Sequence, residues 1–394
     1  MEKEAGIFNQ EKFLLTEDNR KISEKSIKKI SKAGQSWSSF GGSIGFPQVN
    51  STKLVQGEPL KEWIKKPRTE KSEIIYCTWM GAKENVDISY IKKQTEAFKK
   101  LDIHPTVFII DDGWASKSGD WLSVDKQKFP NGIKEATNLI KENNMESWLW
   151  IAPLHIGQNS EFAREHPDLL TQKKGKPISF DHKNTCFSKN HYLLDLRKSE
   201  AVDYLDQVAK KFKEWGFEGA KIDFLSSLYL IKEMDQKEKQ FLTHKTMEIF
   251  KEKGLRILAS GCPFNAAVGV ADYIRLSNDS GLPLPEDNKI INLIFSWRSL
   301  KGVKKLRNIV DSFINIDPDM YYSNNTNKLT ERNLFEAQRL SVYRAGCLTL
   351  GDDFSKLSGV KAEPIKKLIK KFYHAQKLRS NFTAIRTGQK TQTP

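Results

Sequence analysis

The chain has 394 residues, 38% of them hydrophobic, which is enough apolar material for one large domain or two smaller ones. It contains no run of about 18 apolar residues, which argues against a membrane-spanning helix. The N-terminus has no apolar segment followed by a small-residue cleavage site, so we expect a cytoplasmic protein without a membrane partner.

The charge is strongly positive, because 64 lysine and arginine residues outnumber 49 aspartate and glutamate residues and give a net charge of +15. The lysines are spread along amphipathic segments with glutamates among them, as in residues 361–367. We interpret this pattern as a solvated outer face and not as a nucleic-acid surface. The cysteines, at positions 77, 186, 262 and 347, show no CxxC pairs and no zinc-finger spacing, so we expect reduced thiols and no metal site.

In chain order, residues 1–70 are polar and irregular, and we expect an N-terminal segment that packs on a larger unit. Eight short apolar runs then predict strands, at 74–80, 106–111, 146–152, 219–224, 256–260, 272–277, 319–323 and 346–351. Between them lie amphipathic stretches such as 199–215 and 362–378, which predict helices. This alternation favours a (β/α)8 barrel over a doubly wound sheet, with the barrel at 71–378 and a loose tail at 379–394.

Two of the predicted strands end in a cation followed by a carboxylate. Lys221 precedes Asp223, and Arg275 precedes Asp279. A pair of aspartates delivered from the ends of buried strands suits acid–base and nucleophilic chemistry at a sugar carbon. The alternative is that such aspartates cap helices or form turns, and that the two cations only pair with neighbouring carboxylates.

A third strand end carries Asp111 and Asp112, followed by a glycine and Trp114. Adjacent ionised carboxylates repel one another unless something binds them, and sugar hydroxyls are suitable ligands. The Trp114 indole could then lie against the apolar side of a pyranose ring. Because catalytic groups of a barrel gather at the C-terminal ends of the strands, one shared pocket explains these clusters most simply.

Residue type alone leaves other readings open. Cys262 in a Gly-Cys-Pro turn is typical of a buried structural thiol. Tryptophans such as Trp150 occur more often in cores than as sugar platforms. Asp352 and Asp353 follow the eighth predicted strand, where they either join the pocket or cap the next helix.

An ordered series of short motifs runs over residues 74–372. It comprises Asp-Asp-Gly-Trp at 111–114, Gly-Asp-Trp at 119–121, Lys-Phe-Pro-Asn-Gly-Ile at 128–133, His-Pro-Asp at 166–168, Leu-Asp-Leu at 194–196, Lys-Ile-Asp-Phe at 221–224, Gly-Cys-Pro at 261–263, Arg-Leu-Ser-Asn-Asp at 275–279, Asp-Pro-Asp at 317–319 and Leu-Gly-Asp-Asp at 350–353. This series resembles the melibiase-type α-galactosidases, glycoside hydrolase family 36 in clan D, and looks closest to their archaeal and plant-like branch. Many bacterial relatives carry large β-domains on both sides of the barrel, whereas here we expect a short N-terminal segment and no full C-terminal β-domain.

The resemblance implies a role for each matching residue. Asp223 would be the nucleophile and Asp279 the general acid/base. Sugar-binding roles fall to Asp111 and Asp112, which would accept from hydroxyl groups, to Lys221 and Arg275, which would hold neighbouring hydroxyls, and to Cys262 and Trp150, which would line the pocket.

The function that the resemblance implies is a retaining glycoside hydrolase that releases terminal α-linked galactose by double displacement and needs no cofactor. An oligosaccharide or a glycoside would be its substrate. Assembly into a homo-oligomer is a further possibility. Alternatives within enzymes are an α-galactosyl transglycosylase and an α-N-acetylgalactosaminidase. A non-catalytic carbohydrate-binding barrel is the alternative from another class.

Overall fold

The computed structural model describes residues 13–15, 21–23, 73–181, 190–231, 234–267, 269–275, 314–317, 320–321 and 346–387. The described part of the N-terminal segment is one antiparallel hairpin, formed by β1 (Phe13–Leu15) and β2 (Lys21–Ser23). The rest of that segment, and its predicted packing on the barrel, lie outside the described residues. Among the helices of the described ranges, none is long and apolar enough to cross a membrane.

Within the described residues, the principal sheet contains nine strands, all of which except β14 fall in the predicted apolar runs or overlap them. They are β3 (Glu73–Cys77), β4 (Val107–Ile110), β5 (Glu146–Ile151), β11 (Gly219–Ile222), β12 (Arg256–Ala259), β13 (Tyr273–Arg275), β14 (Asn315–Asp317), β15 (Met320–Tyr321) and β16 (Cys347–Leu350). Neighbouring strands are parallel, in the order β14-β13-β12-β11-β5-β4-β3-β16-β15.

The sheet closes on itself, because its two terminal strands, β14 and β15, are separated in the chain by residues 318–319 alone. They form the two parts of the seventh barrel strand. Across the seam, the Gly346 N–H donates a hydrogen bond to the Ile316 carbonyl at 3.2 Å. The predicted (β/α)8 barrel is therefore confirmed.

The seventh strand begins at Asn315 and not at residue 319 as the apolar run predicted. Asn315 and Asp317 alternate with Ile316, and all three are buried. The polar members of this alternation lowered the local hydropathy and hid the start of the strand.

Side chains of the barrel strands fill two separate layers, because successive residues of a strand point to opposite faces. One buried cluster consists of strand residues and occupies the barrel interior: Ile75, Cys77, Val107, Ile109, Trp148, Leu258, Tyr273, Met320 and Cys347. The intervening strand residues, such as Tyr76 and Phe108, pack with helix residues such as Phe98 and Phe212 in the layer between barrel and helices.

The described helices follow the strands around the barrel. They are α1 (Trp79–Ala82), α2 (Ile88–Leu101), α3 (Lys134–Glu142), α4 (Glu161–Glu165), α5 (Ser199–Glu214), α6 (Gln236–Glu252), α7 (Phe264–Ala267) and α8 (Gly359–Thr387), with 3-10 turns at Lys83–Asn85, Pro167–Leu169, Leu225–Leu230 and Phe354–Lys356. The helix predicted at 199–215 is confirmed as α5. Helix α8 continues to Thr387, so residues 379–387 are helical and not a loose tail, because no glycine or proline occurs between Pro364 and Gly388.

Shorter strands belong to the long connection after the third barrel strand. Strand β6 (His155–Gly157) pairs antiparallel with β10 (Asn190–Leu193), which also pairs with β9 (Phe180–Asp181). A separate hairpin joins β7 (Gln172–Lys173) to β8 (Lys176–Pro177). Since β6 follows β5 after the turn at residues 152–154, this small sheet begins at the C-terminal end of the barrel strands.

Replacing Gly219 with alanine tests the packing of the interior layer. The added methyl group would lie 2.4 Å from two atoms of the fully buried Trp148 indole, so atoms of the core must move. We expect Gly219→Ala to lower the free energy of unfolding by about 1–3 kcal/mol, as overpacked cores do. Gly359→Ala is the control, because nothing lies within 4 Å of the methyl group there. Equal urea midpoints for the two variants would contradict this prediction.

Candidate active site

The barrel interior becomes polar at the C-terminal ends of its strands. Cys77 ends β3, and Asp111 follows β4 two residues after the interior residue Ile109. Lys221 and Arg275 occupy the interior face of β11 and β13 by the same two-residue period. The strand order therefore brings ionisable groups that are distant in sequence to one end of one barrel.

Asp111 and Lys221 form an ion pair in the barrel interior, with 2.6 Å between Nζ and Oδ2, and both side chains are almost completely buried. The Cys77 thiol donates to the same carboxylate oxygen at 2.9 Å. Burial alone would raise the pKa of Asp111, but the ammonium of Lys221 and the hydrogen bonds outweigh it and lower that pKa. Burial opposes the charged form of Lys221 as well, yet Asp111 and Cys77 raise its pKa overall. The pair is therefore fully ionised at neutral pH.

Asp112 has the opposite electrostatic environment from its neighbour. Burial and then the negative charge of Asp111 raise the pKa of Asp112 to about 8. The repulsion that the sequence indicated is thus relieved without a ligand, because one carboxyl is ionised and the other holds a proton near neutral pH. A protonated carboxyl can donate one hydrogen bond as well as accept.

Asp223 follows β11 and extends its ladder, because its backbone N–H donates to the Ile151 carbonyl at 2.8 Å. It therefore shares the interior face of Lys221. Its carboxylate accepts two hydrogen bonds, from the Phe224 backbone N–H to Oδ1 at 2.8 Å and from the Trp150 indole N–H to Oδ2 at 3.2 Å. These donors fix the orientation of a carboxylate that is only half-buried.

Charges carried by four strands, β4, β11, β13 and β14, act on one another at this end of the barrel. Burial, Asp111 and Cys77 have the largest effects on the pKa of Lys221. Smaller effects come from Arg275, which lowers that pKa, and from Asp223, which raises it. Arg275 is itself buried and paired with Asp317, with 3.0 Å between Nε and Oδ2. Both cations pair with neighbouring carboxylates, and their predicted role in sugar binding stays a prediction.

Asp317 and Thr349 are members of this group that the sequence analysis did not assign. Thr349 donates from Oγ1 to Asp317 Oδ1 at 2.9 Å, while Arg275 occupies the other oxygen. The available signal was the alternation of polar residues in β14 and β16, which places both on the interior face.

Other predicted site residues have mainly structural contacts in the described structure. Trp114 is completely buried, donates from Nε1 to the Trp150 carbonyl at 2.8 Å and packs against Trp121, Phe212 and Trp215. A sugar-stacking role for it stays a prediction that none of these contacts supports. The Cys262 thiol is completely buried, which raises its pKa, and it donates to the Pro263 carbonyl at 3.4 Å.

The second predicted catalytic aspartate, Asp279, lies outside the described residues, so its role as general acid/base stays a prediction. Asp353 immediately precedes the 3-10 turn Phe354–Lys356, and its Oδ1 accepts from Gln94 Nε2 at 2.7 Å and from Ser355 Oγ at 2.6 Å. It thereby ties the loop after β16 to α2. Within the described ranges, no group of three or more His, Cys, Asp or Glu side chains is arranged to hold a metal ion.

The fold and the site together define the class: a closed parallel barrel that carries carboxylates and cations at the C-terminal ends of its strands, as (β/α)8 enzymes do. The Melibiase family model matches residues 57–249. This match, together with the similar proteins below, supports a relationship between this part of the chain and the Melibiase family.

Similar proteins carry related names. An alpha-galactosidase of Escherichia coli is 31% identical over 151 residues, which are 36% of this chain and 20% of that protein. The A type blood alpha-D-galactosamine galactosaminidase of Flavonifractor plautii is 30% identical over 125 residues, 30% of this chain and 12% of that protein. An alpha-galactosidase structure from Thermus thermophilus superposes with a TM-score of 0.65 at 21% identity, covering 79% of this chain and 66% of that one.

The chain spans about a fifth or less of the length of the two named sequence relatives. The structural match, at 21% identity, supports the barrel fold alone.

Replacing Asp112 with asparagine tests the raised pKa. An unfolded aspartate has a pKa of about 3.9, whereas that of folded Asp112 is about 8. Between these values the folded state binds a proton that the unfolded state has released, so this group makes the protein less stable as the pH rises. We expect Asp112→Asn to gain stability relative to the wild type from about pH 5 to about pH 8, by up to about 1.4 kcal/mol per pH unit. Urea unfolding of both proteins measures it, and a difference that is the same at every pH contradicts it.

Proposed function

We propose that this chain is an α-galactosidase-like glycoside hydrolase that releases terminal α-linked galactose with retention of configuration. The observation that carries the proposal is the position of Asp223, whose carboxylate is held by two donors at the interior-facing end of β11. The cation of Lys221 acts on it from the same strand. The name of the similar Escherichia coli protein, an alpha-galactosidase, supports galactose as the sugar.

In the proposed mechanism, a carboxylate oxygen of Asp223 forms a bond to the anomeric carbon as the bond to the leaving oxygen breaks. Asp279 gives its proton to that oxygen. In the second step Asp279 takes a proton from water, the water oxygen attacks the same carbon, and Asp223 leaves as a carboxylate. The two inversions together return the α configuration.

The remaining polar groups suit recognition of a polyhydroxylated sugar. Lys221 is fixed by Asp111, and Arg275 by Asp317, so neither cation has to be ordered when a ligand binds. Preordered donors in a buried setting bind hydroxyl groups with little entropic cost. Asp112, protonated near neutral pH, adds a group that can both donate and accept.

A second candidate is an α-N-acetylgalactosaminidase, favoured by the similarity to the Flavonifractor plautii galactosaminidase. A transglycosylase would use the same two carboxylates and pass the sugar to another hydroxyl. Purified protein with p-nitrophenyl α-galactoside, and in parallel with the α-N-acetylgalactosaminide, separates the first two, and product analysis with an added acceptor sugar detects the third. A carbohydrate-binding barrel would release nitrophenol from neither substrate.

The proposal also covers the localisation of the protein, its oligomeric state and its branch of the family. We place the protein in the cytoplasm, on the grounds of its sequence, and keep a homo-oligomer open. A closer affinity to the archaeal and plant-like branch rests on the motifs, while the two named sequence relatives are bacterial.

Removing the nucleophile tests the role of Asp223. We expect Asp223→Gly to lose at least about a thousandfold in kcat on p-nitrophenyl α-galactoside, since covalent catalysis needs the attacking carboxylate. Azide should then restore part of the nitrophenol release, with a bond forming between azide nitrogen and the anomeric carbon as nitrophenolate leaves. Asp203→Ala, on the exposed side of α5, is the control and should keep wild-type turnover. Normal turnover of Asp223→Gly would refute the assignment.

The configuration of the first product tests retention. Carboxyl groups about 5–5.5 Å apart leave no room for a water between nucleophile and sugar, so α-galactose should form first. Proton NMR during early turnover distinguishes the anomers before mutarotation mixes them. If β-galactose is formed first, the enzyme is inverting.

The acid/base role of Asp279 has a different signature. A nitrophenolate leaves without a proton, whereas a sugar alkoxide needs one. We expect Asp279→Ala to slow raffinose hydrolysis at least about tenfold more than the glycosylation step with nitrophenyl galactoside. Equal losses on the two substrates in pre-steady-state measurements would remove Asp279 from this role.

A further inference from the structure

His155 lies beside the turn that follows Asp223, although it belongs to a different connection of the barrel. It is the first residue of β6, completely buried, and its backbone N–H donates to the Ala152 carbonyl at 2.9 Å. Its imidazole stacks on the Phe224 ring, with 4.8 Å between centroids and 22° between planes. Nε2 lies 2.6 Å from the hydroxyl oxygen of Ser227.

Phe224 has a backbone conformation that residues other than glycine rarely adopt, with φ 54° and ψ 29° in the left-handed region. A bulky residue in this region costs of order 1–3 kcal/mol and persists only where its surroundings hold it. The N–H of the same residue donates to Asp223 Oδ1 at 2.8 Å. The angle φ is the rotation about the N–Cα bond of Phe224. It therefore sets how the peptide N–H on one side of this bond is oriented relative to the phenyl ring on the other. Holding the ring therefore also holds the donor.

The other side of the turn is fixed by the loop after β12. The Ser226 N–H donates to the Gly261 carbonyl at 2.7 Å. A Cβ atom at Gly261 would lie 3.3 Å from Asp223 Oδ1, so the glycine allows the carboxylate to approach this loop closely. With this contact on one side, the imidazole of His155 stacks on the ring of Phe224 from the other.

We propose that His155 is a positioning residue for the reaction: by stacking on Phe224 and bonding to Ser227 it holds the left-handed turn that orients the Asp223 carboxylate. The inference rests on the proposed function, which makes Asp223 the nucleophile. An aliphatic side chain could fill the same space but offers neither a flat ring face for Phe224 nor a nitrogen for Ser227. Both contacts reach residues 224–227 from β6, so they link the connection after the third barrel strand to the one after the fourth.

The kinetic test compares two substitutions at one position. Misplacing a reacting group by about 1 Å can cost about a hundredfold in rate, so we expect His155→Ala to lower kcat about ten- to a hundredfold and to change KM less than about threefold. His155→Phe keeps the ring face, and combined with Ser227→Ala it leaves no unpaired hydroxyl. This double variant should stay within about fivefold of the wild-type kcat. His104→Ala, at a histidine that is 79% exposed, is the control and should equal the wild type.

Two kinetic outcomes would overturn the inference while leaving the proposed function intact. One is an active wild type whose kcat is unchanged in His155→Ala. The other is a double variant whose kcat is as low as that of His155→Ala. That result would show that stacking on Phe224 is not what maintains the rate. A wild type inactive on every α-galactoside refutes the proposed function instead.

A crystal structure of the His155→Ala protein tests the positioning itself and does not depend on activity. We expect φ of Phe224 to leave the left-handed region and the distance from its N–H to Asp223 to exceed hydrogen-bond range. If both features persist, His155 does not hold the turn. Should His155→Ala fail to fold, His155→Leu fills the space but offers neither contact, and its structure is expected to show a longer distance between the Phe224 N–H and Asp223; an unchanged turn would overturn the inference.

Discussion

The ion pair between Lys221 and Asp111 is the interaction on which the rest of the site depends. It joins β11 to the end of β4 across β5, in a barrel interior where both side chains are almost completely buried. Taking either charge out of water is expensive, and removing one partner of a buried pair costs about 3–5 kcal/mol. The pair, with Cys77 as a further donor, is therefore satisfied in only one arrangement of three strands. That arrangement also sets the charge beside Asp223.

A polar group at the opposite end of the barrel has a different character. Arg256 pairs with Glu73 at 2.9 Å and with Glu146 at 2.7 Å, and its guanidinium lies 5.1 Å from the centre of the Trp148 ring. These residues start their strands, whereas Asp223, the proposed nucleophile, directly follows the end of β11. An apolar layer around Trp148 separates the two polar ends. We interpret the Arg256 network as a set of interactions that stabilise the closed barrel. The N-terminal end of the strands has this stabilising role in (β/α)8 folds.

The turn that follows Asp223 is strained at Phe224 and is stabilised by residues from other parts of the chain. The left-handed Phe224 is locally unfavourable, and the groups that hold it come from other connections, namely His155 and Gly261. A strained turn that is stabilised from outside keeps a carboxylate oriented before a substrate arrives. The interior pairs do the same for Lys221 and Arg275, so the site is ordered in advance by contacts that span the barrel.

The sequence by itself determined the barrel strands and most of the chemistry at their ends. Apolar runs bounded by polar residues mark buried strands, and the gathering of barrel sites at strand C-termini placed Asp111, Lys221, Asp223 and Arg275 in one pocket. It failed where polar residues face the interior, as in β14, whose start at Asn315 was missed. It also placed the Trp114 indole against a sugar, whereas the described contacts are with core aromatic rings.

Only the tertiary structure determined which groups meet. That Lys221 bonds to Asp111, that Arg275 bonds to Asp317 and that His155 stacks on Phe224 depends on strand order and barrel closure. The different pKa shifts of two adjacent aspartates, Asp111 lowered and Asp112 raised, depend on the same contacts. A local pattern fixes the direction of a side chain along its own strand, but the distance between residues of different strands is set by how the whole sheet closes.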